Sequence, residues 1–198
     1  MGEKMRQQIA EEAARLMLEN GETSFNIAKR KAAEKKGLGP EDDLPSNQEI
    51  EAQIKLRQTL FDGEAHINLI RDKRQNALSA MGFFKGFSPM LTGPVMDGTA
   101  SRYSPIEIHL FADAVEEVTI FLMENKIPFQ IIDRRLRMGK NEEMQVPVLS
   151  FYADEQLMEV SVFPPKFRNH SPLSQVDGSP QKRMNIKKLQ KLLSNEVQ

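Results

Sequence analysis

Near residue 86 the spacing of apolar residues changes, and that change limits the folds open to the chain. Before it, Ile9, Ala13, Leu16 and Met17 recur at helical intervals, and Asn20-Gly21 supplies a stop. A second helix is expected after Thr23 or Ser24, running to Gly37, followed by the loop sequence GLGPEDDLPS. Ser46 and Glu49 have the spacing of a capping box, in which each side chain satisfies a free N–H of the first turn. The helix so opened turns Ile50, Ile54 and Phe61 inward, and another from Gly63 carries Ile67, Ile70, Leu78, Met81 and Phe84. Beyond 86 the period shortens. Residues 90–96, 106–111 and 129–132 read as strands, and 145–163 as a hairpin turning at Ala153-Asp154-Glu155. Asp113 and Glu116 suggest a second capping box, opening a helix with Val115, Val118, Phe121 and Leu122 inside. A last helix carries Ile186, Leu189 and Leu193 on one side and Lys187, Lys188 and Lys191 on the other. The expectation is an α+β chain: a helical N-terminal module over residues 1–86, then a mixed-sheet α/β domain over 87–198.

With 198 residues the chain is long enough to bury a core, and a net charge of -1 selects no partner by bulk electrostatics. It contains no cysteine, which removes disulfides, thiolate nucleophiles and zinc-finger sites together, and fits a cytoplasmic protein. No apolar run approaches the roughly 20 residues that a membrane-spanning helix needs. The phosphate-binding G-x-x-x-x-G-K-[ST] loop, the dinucleotide fingerprint and the metalloprotease H-E-x-x-H are all missing.

The stretch GPVMDGTASRYSPIEIHLFAD, residues 93–113, carries the chemistry. Gly98-Thr99-Ala100-Ser101 is a small-residue turn where a phosphate can approach the backbone. Side chains two apart on a strand share a face, so Glu107 and His109 project together from the strand that follows. On a later strand, Glu159 and Ser161 alternate with Met158, Val160 and Val162. This pattern resembles the signature of DNA polymerase beta type nucleotidyltransferases: a Gly-Ser turn, a Ser-Asp-x-Asp strand, and a third carboxylate on a later strand. It is also similar to a bacterial group built on that plan with a helical extension in front.

The resemblance implies a nucleotidyltransferase-like fold and transfer of a nucleotide from a nucleoside triphosphate to a hydroxyl acceptor. Gly98 and Thr99 match the Gly-Ser pair, and Ser104 matches the serine before the carboxylates. Glu107 and Glu159 would be catalytic and, with His109, would bind Mg2+. Arg134 and Arg137, in a basic cluster, are the expected contacts to a triphosphate or an RNA backbone. The pattern departs from the family at Pro105, which falls where the first aspartate belongs. That departure keeps a second reading open, a catalytically silent module that binds nucleotide, RNA or a protein partner. A half-exposed antiparallel strand with a wet face would show the same alternation at 107 and 109.

Overall fold

The computed structural model describes residues 2–39 and 44–196, the side chains of 61 and 62 excepted. The expected loop after Gly37 therefore lies partly outside the described residues. Two compact units emerge. One comprises residues 1–69, 99–104 and 175–178, and the other residues 70–98, 105–174 and 179–198. The boundary expected at residue 86 falls inside the second unit, because the helix before it counts with the sheet from Ile70 onward.

In the first unit α1 (Glu3–Glu19), α2 (Phe25–Lys35) and α3 (Asn47–Arg57) share a core. Ala10, Ala13 and Ala14 on α1 and Ala28, Ala32 and Ala33 on α2 are buried in it beside Ile9, Ile50 and Ile54. Small side chains let helix backbones approach closely, so the alanines here are packing residues rather than fillers. The capping box forms as expected: Glu49 N donates to Ser46 Oγ at 3.2 Å and Ser46 N donates to Glu49 Oε2 at 2.7 Å. Arg6 adds a forked contact to the same carboxylate, at 2.7 and 2.8 Å, and this pairing lowers the Glu49 carboxyl to about 2. A π-helical turn over residues 58–62 follows α3 before α4 (Gly63–Phe83) begins.

The second unit is built on a six-stranded mixed sheet. Its strands are β1 (Met90–Thr92), β2 (Ile106–Phe111), β3 (Gln130–Gly139), β4 (Glu142–Ala153), β5 (Gln156–Phe163) and β6 (Met184–Asn185). They lie in the order β3-β4-β5-β2-β1-β6, with β2 and β5 parallel and every other pair antiparallel. A short helix α5 (Gly93–Asp97), then α6 (Val115–Glu124) and α7 (Ile186–Asn195), complete the unit. One face carries Ile106, Ile108, Leu110, Met158, Val160 and Leu149, all at 2% exposure or less. On that side Phe84, just past α4, meets Phe121 of α6 and Phe151 of β4, with ring centroids 5.9 and 6.1 Å apart. No helix among the described residues is long and apolar enough to cross a membrane.

Three expected elements shift. The strand expected over 90–96 stops at Thr92, since Pro94 has no N–H for a ladder and instead opens α5. The second capping box moves by one residue: Ala114 is the N-cap and its N–H reaches Glu117 Oε1 at 3.0 Å, leaving Asp113 outside. Only the returning half of a box exists there, because alanine offers no acceptor. The strand expected at 129–132 runs on to Gly139 and takes Arg134, Arg135 and Arg137 with it. The hairpin turn is as expected, with Asp154 and Glu155 at φ +48° and +62°, the paired left-handed conformation that two-residue hairpins favour.

Candidate functional site

Thr92, Gly93 and Pro94 bend the chain sharply out of β1, and that bend sets the edge of the site. Gly93 sits at φ +69°, and a Cβ built on it would lie 2.7 Å from the carboxyl carbon of Glu107. The glycine that touches the acid is therefore Gly93. Gly98, the glycine expected to face a phosphate, closes α5 and has the Arg74 guanidinium as its neighbour, 3.6 Å from where a Cβ would be.

Register does the rest. Thr92 stands opposite Glu107, Glu107 opposite Glu159, Glu159 opposite Ser150, and Ser150 opposite Gln130. Partners across a ladder project to the same side, so these five residues form one polar row across five strands. Adjacent strands lie about 4.8 Å apart, which sets the spacing of the two acids in the middle of the row. Arg134, on the same face of β3, donates through Nη2 to Glu159 Oε2 at 2.9 Å. Thr92 is almost fully buried and its hydroxyl donates to the Lys182 carbonyl at 2.9 Å.

The electrostatics follow from this crowding. Burial, the neighbouring Glu159 and, to a smaller degree, Asp97 push the Glu107 carboxyl up to about 7, against an opposing pull from Arg134. The arrangement is one carboxyl that holds its proton near neutrality beside another paired with a guanidinium. Such a pair can share a proton, or exchange it for a cation.

His109 lies two residues further along the same face, 4% exposed, with its ring against Phe163 at a centroid distance of 4.7 Å. Its Nδ1 accepts from Arg183 Nε at 2.9 Å. The Arg183 guanidinium sits 5.2 Å from both the Phe111 and Phe163 rings, and its Nη1 donates to the carbonyl of Phe167 at 2.8 Å. Burial, with the Arg183 charge, drives the imidazole down to about 3, so it remains neutral with Nδ1 as the acceptor. The expected metal-ligand nitrogen is in this way committed to an arginine. We expect 15N-resolved NMR to find His109 as the Nε2–H tautomer throughout the range above pH 4; titration near the ordinary value of 6.5 would contradict this arrangement.

The remaining expected residues scatter. Thr99 and Ser104 belong to the helical unit, where the Thr99 carbonyl accepts from Gln58 Nε2 at 2.9 Å and Ser104 Oγ accepts from Ser101 N at 2.9 Å. Arg137 is odd-numbered on β3 while Arg134 is even, so it projects from the opposite face. The structure thus brings together Glu107, Glu159 and Arg134. It adds three residues that the sequence reading missed: Gly93, Thr92 and Asp97. A Gly-Pro step directly after a short apolar strand was the available signal for the bend. No family model and no curated protein matches this chain. Fold and site define it as an α+β protein with a paired-carboxylate row on a mixed sheet.

Proposed function

We propose that the sheet-bearing unit is a nucleotidyltransferase-like domain that binds a nucleoside triphosphate with Mg2+ at Glu107 and Glu159 and transfers its nucleotide to a hydroxyl acceptor. The observation that carries this reading is the Glu107–Glu159 register on adjacent parallel strands, with the Gly93 bend against the Glu107 carboxyl. Among the described residues no three His, Cys, Asp or Glu side chains are grouped to hold a metal. Two carboxylates nonetheless fit magnesium, which takes one or two protein carboxylates and fills the rest of its octahedron with phosphate oxygens and water. When bound, the ion would neutralise the acids and draw charge from the phosphates. Glu107 would give up its proton to admit the cation, Glu159 would hold it from the neighbouring strand, and Arg134 would supply positive charge to the phosphate side.

Titration calorimetry with ATP, GTP, CTP and UTP, each with Mg2+ or Mn2+, tests this. Wild type should bind at least one triphosphate with metal, and Glu107→Gln and Glu159→Gln should each weaken that binding roughly tenfold or more. Absence of binding to any of the four would refute the reading. A second reading, a binding module without transfer, is favoured by the existing Arg134–Glu159 pair and by Pro105 in place of an acid. Its mark would be triphosphate binding that persists after chelation of the metal.

A further inference from the structure

We propose that the segment passing round the β6 edge of the sheet, residues 164–195, carries a binding surface for the phosphodiester backbone of a nucleic-acid strand. The binding stands apart from the proposed activity; that the bound strand supplies the hydroxyl acceptor rests on it. The segment holds Lys166, Arg168, Lys182, Lys187, Lys188 and Lys191, all exposed, and the half-buried Arg183. Its one acid, Asp177, counts with the helical unit. The whole chain has a net charge of only -1, so this excess is a local segregation of charge. Among the described residues, no carboxylate lies within ion-pair distance of any of the six exposed cations.

Backbone contacts join these residues into one band. Arg183 Nη1 donates to the Phe167 carbonyl, which sets Lys182 and Arg183 against the short 3-10 helix Pro165–Asn169 that carries Lys166 and Arg168. β6 follows at once as the terminal strand beside β1, and α7 starts at Ile186. The band begins next to the acid row, because the Lys182 carbonyl accepts from Thr92, and Thr92 stands opposite Glu107. Two of its charges oppose the helix that bears them. Lys187 and Lys188 occupy the first turn of α7, where the macrodipole favours acids, and no acid is present there. Charge that local stability disfavours needs another reason, and an anionic partner supplies one. The surface suits phosphates better than a bilayer. A membrane-binding face sets large apolar side chains beside its lysines, and none of the exposed large hydrophobic residues falls within 164–195. The same lack of exposed Phe or Tyr leaves the backbone, rather than stacked bases, as the part that is held.

Fluorescence anisotropy with a labelled oligonucleotide, as RNA and as DNA of the same sequence, provides the test. Triphosphate is left out and EDTA is present, so the outcome does not depend on a metal at Glu107 and Glu159. Wild type should bind at low salt, with a slope of log association constant against log salt of about -2 to -4. Lys187→Glu combined with Lys188→Glu should weaken binding roughly tenfold or more and flatten that slope by about 1.4. Both changes put acids where α7 favours them, so thermal melting should show a fold at least as stable as wild type. Lys4→Glu combined with Arg30→Glu makes the same change in net charge on the helical unit, and should leave binding near the wild-type value. Binding of either oligonucleotide with that contrast supports the proposal, and a preference between them tells which sugar the strand carries. Absence of binding to both would overturn it. Equal losses in the two double variants would overturn it as well, since the effect would then be one of net charge. Binding to phosphatidylserine vesicles with none to either oligonucleotide would assign the band to a lipid surface instead.

Discussion

At pH 8 the Glu107→Gln variant will be more stable than the wild-type chain, by about 1–3 kcal/mol. The Glu107 carboxyl is held up to about 7 in the fold against an ordinary 4.5. Between those values the folded chain keeps a proton that the unfolded chain releases. Stability from this group is fully present below pH 4.5, falls as pH rises toward 7, and is gone above it. A shift of that size corresponds to about 3 kcal/mol at most. The amide of the variant cannot ionise, so the variant should lack that slope while matching wild type near pH 4. The buried His109 acts in the opposite sense: its depressed basicity removes stability as pH falls from 6.5 toward 3. Subtracting the two profiles cancels this acid-side loss, because both proteins contain His109. Urea unfolding across pH 4–9 provides the measurement, and parallel profiles would show that Glu107 is not a strained acid. Added Mg2+ should recover wild-type stability at pH 8 and leave Glu107→Gln unmoved if the cation reading is correct.

Gly93→Ala should cost about 2–4 kcal/mol and disturb the acid pair at the same time. One part of the loss is conformational, since alanine at φ +69° is in the left-handed region. The other part is steric, since its methyl group would meet the Glu107 carboxyl at 2.7 Å. The carboxyl is the tip of a flexible side chain and can swing, but only by leaving its place beside Glu159. Two consequences separate these parts. The wild-type pH slope between 4.5 and 7 should flatten in Gly93→Ala. In a Glu107→Ala background the same substitution should cost only the conformational share, about 1–2 kcal/mol. Equal costs in both backgrounds would remove Glu107 from the account of why glycine is needed there.

Local rules carried the reading of the helical unit. Ser46 and Glu49 find each other within one turn, and Ile9, Ala13 and Leu16 of α1 are packed where their spacing puts them. The pairing of Glu107 with Glu159 was also accessible, because alternation places each acid on one side of its strand. What escaped was long-range or one-sided. Arg134, Arg135 and Arg137 fell beyond the strand expected at 129–132, yet an edge strand tolerates charges. His109 read as a free nitrogen because its partner, Arg183, lies 74 residues away in sequence. The bend at Gly93 was hidden by apolar Val95 and Met96, which fill α5 but look like the continuation of a strand.

Segment membership also has a consequence for biosynthesis. Residues 99–104 and 175–178 complete the helical unit, and the Asn47 side-chain amide donates to the Gln175 carbonyl at 2.6 Å. On a ribosome, the helices of that unit emerge long before these last pieces. The helices must therefore wait for residue 178 before their set of contacts closes, and a cut at residue 86 leaves them without these pieces.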